Sequence, residues 1–297
     1  MIRGLEEEEY FASGHNACAG CGPAIAMRHI TKAAGKDVII SHATGCMEVV
    51  SSGYPNTAWK VPWVHSAFEN AASVASGIER ALKMKNDKKT KVLAIGGDGS
   101  SFDIGFGALS GMMERGHDIC YVCYDNGAYM NTGVQRSGAT PKYANTTTTP
   151  AGKKIHGKME FKKPLPFIAA AHRIPYVASA SVSNLKDLNK KIKKGLDIEG
   201  PTYIEVFSPC PIGWRFDTSK TVEIARLALQ THVRTLYELE NGEFEINKEF
   251  DQKPVEEYLK MQGRFKHLSE KEVEKIQEHV DKEYKHLKNL EKLGTVL

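Results

Sequence analysis

The 297-residue chain has no run of about 18 apolar residues, so no segment is expected to cross a bilayer as a helix. An excess of one charge is also missing. Against 36 Asp+Glu stand 40 Lys+Arg, a net +4 that argues for neither nucleic acid nor an anionic membrane surface as partner. Six cysteines are too few for a disulfide scaffold. Internal repeats and low-complexity tracts are absent. Residues 1–9, with Glu6 to Glu9 in succession, lack the basic and apolar regions of a secretory signal. These absences lead us to expect a soluble, cytoplasmic chain with reduced thiols. What is present is ordinary globular composition, 41% hydrophobic and 26% charged, on a length that can bury a sizeable core.

Hydrophobic periodicity places helices over 22–34, 69–84, 103–115 and 182–195, with another near 218–236. Strands are expected over 38–42, 92–95, 119–124 and 202–207, the second of these a continuous apolar run of the kind covered on both faces. Pro23 and Gly35 bracket the first helix. Ala71, Ala72, Ala75 and Gly77 give the second helix small residues for close packing on a sheet. Residues 43–65 hold Gly45, Gly53, Pro55 and Pro62 without any period and read as a structured loop. Strands alternating with helices in this way predict a doubly wound parallel α/β domain over about 14–235.

Past residue 235 the pattern changes. Apolar and charged residues alternate over 236–240 and 243–246 around Asn241-Gly242, a type I′ hairpin signal. Ser269 and Glu272 make a capping box, followed by an apolar stripe of Val273, Ile276, Val280, Tyr284, Leu287 and Leu290. The chain is therefore divided into units 1–235 and 236–297. A lone hairpin and helix bury little by themselves, so the second is expected to dock on a partner subunit.

The cysteines are spaced unevenly. Cys18 and Cys21 form a C-x-x-C in a Gly-rich bend that can curl round a metal or cluster. Cys46 and Cys210 each follow a strand, where functional groups collect in open α/β sheets. A four-cysteine zinc site, a thioredoxin-like redox pair, an iron–sulfur cluster and no ligand at all stay open, since zinc and iron–sulfur use the same thiolates. Cys120 and Cys123 repeat the spacing inside a strand, where residues three apart point to opposite faces, and are read as core.

Gly96-Gly-Asp-Gly-Ser-Ser101 lies between the 92–95 strand and a helix. Its glycines let backbone approach a phosphate, and the helix start supplies N–H donors. Asp98 is a hard oxygen ligand suited to Mg2+. The stretch is neither a Walker A loop nor G-x-G-x-x-G. Asn126 follows Asp98 by 28 residues, about a helix, a loop and a strand. The two should emerge at neighbouring strand ends, able to share one Mg2+ with a backbone carbonyl such as that of Ala128.

Gly97-Asp-Gly99 with Asn126 resembles the thiamine diphosphate motif. Together with residues 15–23, 102–107 and 129–141, it resembles the β subunit (PorB type) of the pyruvate:ferredoxin oxidoreductase (pyruvate synthase) family over about 10–235. The resemblance implies a thiamine-diphosphate-binding (PP) domain, with Asp98, Asn126 and the Ala128 carbonyl on Mg2+. It assigns Gly97, Gly99 and Ser100 to the diphosphate and Asn131, the catalytic candidate, to the thiazolium and substrate, with Thr132 beside it. It also implies one 4Fe–4S cluster rather than zinc on Cys18, Cys21, Cys46 and Cys210. Pro23 departs from the pattern, because the long single-chain members carry an acidic residue there.

The implied activity is reversible oxidative decarboxylation of pyruvate with coenzyme A to acetyl-CoA and CO2, electrons passing to ferredoxin. Another 2-oxoacid (branched-chain, aryl, 2-oxoglutarate or oxalate) or a non-catalytic zinc-binding assembly subunit are the alternatives. A complete thiamine site needs a pyrimidine-binding domain, for which this length has no room. The implied partners are therefore an α-type pyrimidine-domain subunit, a γ-type subunit and a ferredoxin-like δ-type subunit, besides external ferredoxin. His15 and His42 are read as hydrogen-bonded structural histidines, and Trp59 and Trp63 as lining the site or, preferably, an interface. Lys153 and Lys154 are read as solvated surface in preference to a coenzyme A phosphate site.

Overall fold

Strand Cys120–Asp125 is buried at every position, as an apolar run covered on both faces should be. It lies inside an eight-stranded sheet in a computed structural model that describes residues 4–295. The chain enters through α1 (Gly22–Ala34), β1 (Val38–Ala43), α2 (Cys46–Val49) and β2 (Trp63–Ser66). Next come α3 (Ala71–Met84), β3 (Lys91–Gly97), a π-helical turn (Ser100–Ile104), α4 (Phe106–Glu114) and β4 (Cys120–Asp125). A long irregular segment leads to α5 (Leu165–Ala170), β5 (Tyr176–Ser181), α6 (Leu185–Asp197), β6 (Thr202–Phe207) and α7 (Pro211–Trp214). The chain continues with α8 (Thr221–Gln230), β7 (Leu236–Glu240), β8 (Glu243–Lys248), α9 (Val255–Lys260) and α10 (Glu270–Leu293).

The strand order is β2-β1-β3-β4-β6-β5-β7-β8, parallel from β2 to β5 and antiparallel at the β5–β7 and β7–β8 pairs. The doubly wound parallel fold expected from the sequence is thus present. Separate apolar layers cover its two faces. Cys120, Val122 and Tyr124 of β4 face the layer that contains Ala26, Ile30, Leu188 and Ile192, from α1 and α6. Tyr121 and Cys123 face the layer with Ala72, Ala75, Leu109 and Met112, from α3 and α4. The second C-x-x-C is therefore core, its thiols on opposite faces of the sheet.

Differences from the sequence reading lie where long-range pairing decides. Residues 43–65 are not all loop, since α2 and the edge strand β2 form there. The helix expected near 218–236 ends at Gln230, and the one expected from 103 begins as the π-helical turn at Ser100. Ala71, Ala72 and Ala75 do pack inward, but Gly77 faces outward with open space around it.

The hairpin forms with Asn241 at φ 49° and Gly242 at φ 90°, as a type I′ turn requires. It is not alone, for β7 pairs with β5 and extends the main sheet. The apolar stripe of α10 also lies on its own chain. Val280 is buried, Val273 and Ile276 join one apolar layer, and Leu287 and Leu290 join the other. Tyr284 stacks on His232 with ring centroids 3.7 Å apart. The capping box is present, with the Ser269 N–H donating to Glu272 at 2.9 Å.

Leu236, Tyr237, Leu239, Phe244 and Ile246 are all buried in this extension. Full burial of a large apolar side chain is worth about 1.5–3 kcal/mol, so together they approach the whole margin of a domain, about 5–15 kcal/mol. A chain ending at residue 235 is expected to lose cooperative thermal unfolding, followed by circular dichroism. A single sharp transition within a few degrees of the full chain would contradict this.

Candidate functional site

Loops leaving the carboxyl ends of β1, β3, β4 and β6 lie side by side, the edge on which open α/β sheets bind ligands. One pocket there is lined by Gly97, Asp98, Gly99, Ser100, Asn126, Ala128, Asn131 and Thr132, together with Cys46. Thr44, Gly45, Phe68, Tyr124, Tyr129 and Met130 complete it, and none of these was singled out from the sequence. Tyr129 and Met130 stand inside the quoted 129–141 motif, so position there was their only signal. Phe68 arrives from beyond β2 and carries no local mark.

Pairing of Gly97 with Tyr124 in the β3–β4 ladder sets Asp98 beside Asn126. The side-chain oxygen of Asn126 faces only acceptors: it lies 3.0 Å from Asp98 Oδ1 and 2.8 Å from the Ala128 carbonyl oxygen. An octahedral Mg2+ with oxygens at 2.0–2.1 Å has neighbouring ligand oxygens about 2.9 Å apart. Both spacings are close to that between neighbouring ligands of such a shell. With no cation between them, the amide turned over would instead donate its nitrogen to the same two oxygens. Asp98 is 1% exposed and Asn126 3% exposed. Burial, then the charge of nearby Asp125, holds the Asp98 carboxyl well above the ordinary carboxylate range. A buried acid without a cation of its own fits a site that receives one.

Neighbouring groups aim these ligands. The Ser137 hydroxyl donates to Asp98 Oδ2 at 2.5 Å, leaving Oδ1 turned to Asn126. The Trp214 indole N–H donates to the Asn126 carbonyl at 2.6 Å. Ser100 Oγ donates to the Phe68 carbonyl at 2.5 Å, so its hydroxyl proton is already committed and backbone N–H is what it can offer a phosphate. Tyr129 donates to the Gly99 carbonyl at 2.8 Å, and a Cβ on Gly99 would stand 2.3 Å from its ring. Asn131 and Thr132 are exposed at the rim.

Under this floor lies a buried charge network absent from the sequence reading. Asp125 is held by Lys162 at 2.6 Å and Arg234 at 2.8 Å. Burial opposes ionisation, yet these two cations keep its carboxyl below the usual range. Lys162 also binds Glu205. Partners drawn from 37 and 109 residues away leave no sequence motif.

The cysteine loops meet at the same edge. Gly22 N–H donates to the Pro209 carbonyl at 3.1 Å, and a Cβ on Gly22 would lie 2.3 Å from that oxygen. A Cβ on Gly20 would lie 2.0 Å from the Thr218 carbonyl oxygen. These glycines let the Cys18–Cys21 bend rest directly on the backbone that carries Cys210. Burial, with charge on the other thiols adding to it, pushes the Cys21 and Cys46 thiols up to about 12. Burial raises Cys210 as well, against the Gly213 N–H that donates to its sulfur at 3.3 Å. Such N–H donors to sulfur, with buried thiols close enough to feel one another, suit an anionic sulfur cluster. Among the described residues, no three His, Cys, Asp or Glu side chains close round one ion. A 4Fe–4S cluster asks something else of its four thiols, each of which takes a separate iron.

Other residues fall away from the site. His42 is fully buried against Trp59, Trp63 and Tyr124, and both its ring nitrogens lack hydrogen bonds, contrary to expectation. Burial lowers its pKa to about 3. Trp59 is 6% exposed and stacks on the partly buried Trp63 at 5.6 Å, forming an interior aromatic cluster rather than lining the pocket. His15 accepts from the Ala17 N–H at 3.3 Å and stacks on Phe11. Lys153 and Lys154 are exposed.

Comparison with known proteins gives consistent matches. The family model described as thiamine pyrophosphate enzyme, C-terminal TPP binding domain, matches residues 43–206. Pyruvate synthase subunit PorB of Methanocaldococcus jannaschii is 57% identical over 293 residues, covering 96% of this chain and 98% of that protein. Ketoisovalerate oxidoreductase subunit VorB of Pyrococcus abyssi is 46% identical, covering 96% of this chain and 94% of that protein. Among solved structures, 2-oxoglutarate:ferredoxin oxidoreductase from Magnetococcus marinus shares the fold. It has a TM-score of 0.60 and 24% identity, covering 75% of this chain and 82% of that one.

The raised Asp98 carboxyl has a consequence for stability. In the metal-free chain, the stability that this group contributes is present below the ordinary Asp range and is lost as pH rises through its raised value. Asp98→Asn is therefore expected to stabilise the metal-free chain near neutral pH by about 1–3 kcal/mol and to flatten its pH dependence. It should also abolish stabilisation by Mg2+ with thiamine diphosphate. Thermal melts from pH 4 to 8 after chelation test this; an unchanged slope in the variant would contradict it.

Proposed function

The chain belongs to the PorB family, the β subunits of pyruvate synthase among the 2-oxoacid:ferredoxin oxidoreductases, and we propose that it carries that enzyme's thiamine diphosphate, Mg2+ and one 4Fe–4S cluster. Its reaction is then oxidative decarboxylation of pyruvate with coenzyme A to acetyl-CoA and CO2, with ferredoxin as electron acceptor and the reverse direction open. The observation that carries the proposal is the convergence of the Asp98 carboxylate, the Asn126 side-chain amide and the Ala128 carbonyl in the pocket that Cys46 also lines. An acid and amide kept in this geometry argue against a non-catalytic zinc-binding role.

When bound, thiamine diphosphate supplies the carbanion chemistry that cleaves a 2-oxoacid beside its carboxylate, and an iron–sulfur cluster supplies a one-electron acceptor. This chain's part is placement. Asp98 and Asn126 would hold Mg2+ with the Ala128 carbonyl, aimed by Ser137 and Trp214. Gly97, Gly99 and the Ser100 N–H would face the diphosphate, under Tyr129. Cys18, Cys21, Cys46 and Cys210 would ligate the irons. Asn131 and Thr132, exposed at the rim, would meet the substrate once a pyrimidine-domain subunit covers them. That cover would exclude water, which this chain by itself does not do.

Pyruvate is favoured by the 57% identity to a pyruvate synthase subunit, and a branched-chain 2-oxoacid is the second reading on the 46% identity to a ketoisovalerate oxidoreductase subunit. The γ-type and ferredoxin-like δ-type subunits complete the proposed assembly.

Anaerobic purification followed by iron and labile-sulfide analysis is expected to find one cluster per chain. Iron should fall sharply in Cys210→Ala and stay unchanged when Cys120 and Cys123 are both replaced by Ala. In a 2-oxoacid panel, the natural assembly should reduce dye fastest with pyruvate, dependent on coenzyme A, and the isolated chain should be inactive. A colourless protein with zinc and no labile sulfide, or pyruvate oxidation by the isolated chain, would contradict the proposal.

A further inference from the structure

Arg264 is a buried cation without a carboxylate of its own. It is 3% exposed, and its Cζ lies 3.7 Å over the Trp214 ring. Its Nε donates to Gln262 Oε1 at 2.9 Å and the Tyr258 hydroxyl also faces it, while Nη2 has no hydrogen-bond partner. Asp125, the carboxylate whose charge reaches it, is already taken by Lys162 at 2.6 Å and Arg234 at 2.8 Å. Burial lowers its pKa to about 10, which leaves it charged at neutral pH. A buried charge left unpaired is costly, so an arginine kept in this way calls for an anion nearby.

Its position says which anion. Trp214 closes the short helix that Cys210 opens, and the Trp214 N–H donates to the Cys210 carbonyl at 3.0 Å. The Trp214 indole reaches the Asn126 carbonyl on its other side. Next to Asn126, a Cβ on Gly127 would stand 3.1 Å from Arg264 Nη1, and Gly127 has φ +75°, so glycine makes the room. Arg264 thus stands between the thiol loop and the Mg2+ loop. Four thiolates round an iron–sulfur core carry net negative charge, and each electron taken up adds one more.

We propose that Arg264, seated on Trp214, is a positioning cation that stabilises the reduced form of the cluster on Cys18, Cys21, Cys46 and Cys210. This rests on the cluster reading above. The two electrons of each 2-oxoacid oxidised pass through the cluster one at a time on to ferredoxin, and no bond to Arg264 forms or breaks. The guanidinium shifts that equilibrium through charge alone.

The test is the midpoint potential of this cluster, from an EPR-monitored redox titration of the intact, anaerobically purified assembly. Arg264→Gln is expected to lower the cluster's equilibrium constant for reduction about tenfold, a negative shift of ~59 mV for one electron. Arg264→Lys, which keeps the charge, should restore most of the loss. Gln262→Glu leaves the arginine in place but sets a carboxylate against it, and should shift the potential the same way even if Arg264→Gln does not assemble. Equilibrium constants for reduction within twofold of the parent in Gln262→Glu and in whichever Arg264→Gln assembly forms would overturn the inference. So would weaker thiamine diphosphate binding with the potential unmoved, which would make the diphosphate the anion served. A parent assembly without labile sulfide would instead sink the cluster reading itself.

Discussion

Parallel pairing of β3 with β4 in one register, Gly97 opposite Tyr124, is the constraint on which the site depends. It brings the first residues beyond both strands, an acid and an amide far apart in sequence, within 3.0 Å of each other, a spacing that suits neighbouring ligands of a small hard cation. A slip of one residue would turn every side chain of the strand to the other face. Burial of both strands against an apolar layer on each side forbids that slip. The edge that carries the candidate site is thus positioned by core packing, and its loops need only hold what the core has placed.

The same edge gathers the thiols. Cys46 follows β1, Cys210 follows β6, and the Cys18–Cys21 bend reaches them because Gly20 and Gly22 have no side chain to hold the backbones apart. Trp214 joins the two halves, one end on the Cys210 segment and the other on Asn126.

Much of this was legible in the sequence because the signals are local. A continuous apolar run marked β3, Asn241-Gly242 between alternating residues marked the hairpin, and Ser269 with Glu272 marked the start of α10. Strand alternation alone separated Cys120 and Cys123 from the other thiols. What escaped has its cause at long range. β2 exists by pairing with β1, and its residues alternate too weakly to announce it. The hairpin was expected to seek another subunit, yet β5 offers it an edge, which no window of sequence could display. Asp125, Trp214 and Arg264 gain their roles from partners on distant segments. His42 defies its polar chemistry, buried among aromatics without a hydrogen bond.

The central proposal is that one sheet edge carries a Mg2+–diphosphate site and, beside it, a four-thiol cluster of which Cys46 lines the same pocket. A crystal structure of the anaerobic assembly with thiamine diphosphate, with anomalous maps recorded at the iron edge, tests it most directly. Iron density bounded by Cys18, Cys21, Cys46 and Cys210 is expected, with a cation among the oxygens of Asp98, Asn126 and Ala128. Anomalous signal at the zinc edge alone, or a diphosphate bound away from Asp98, would contradict it.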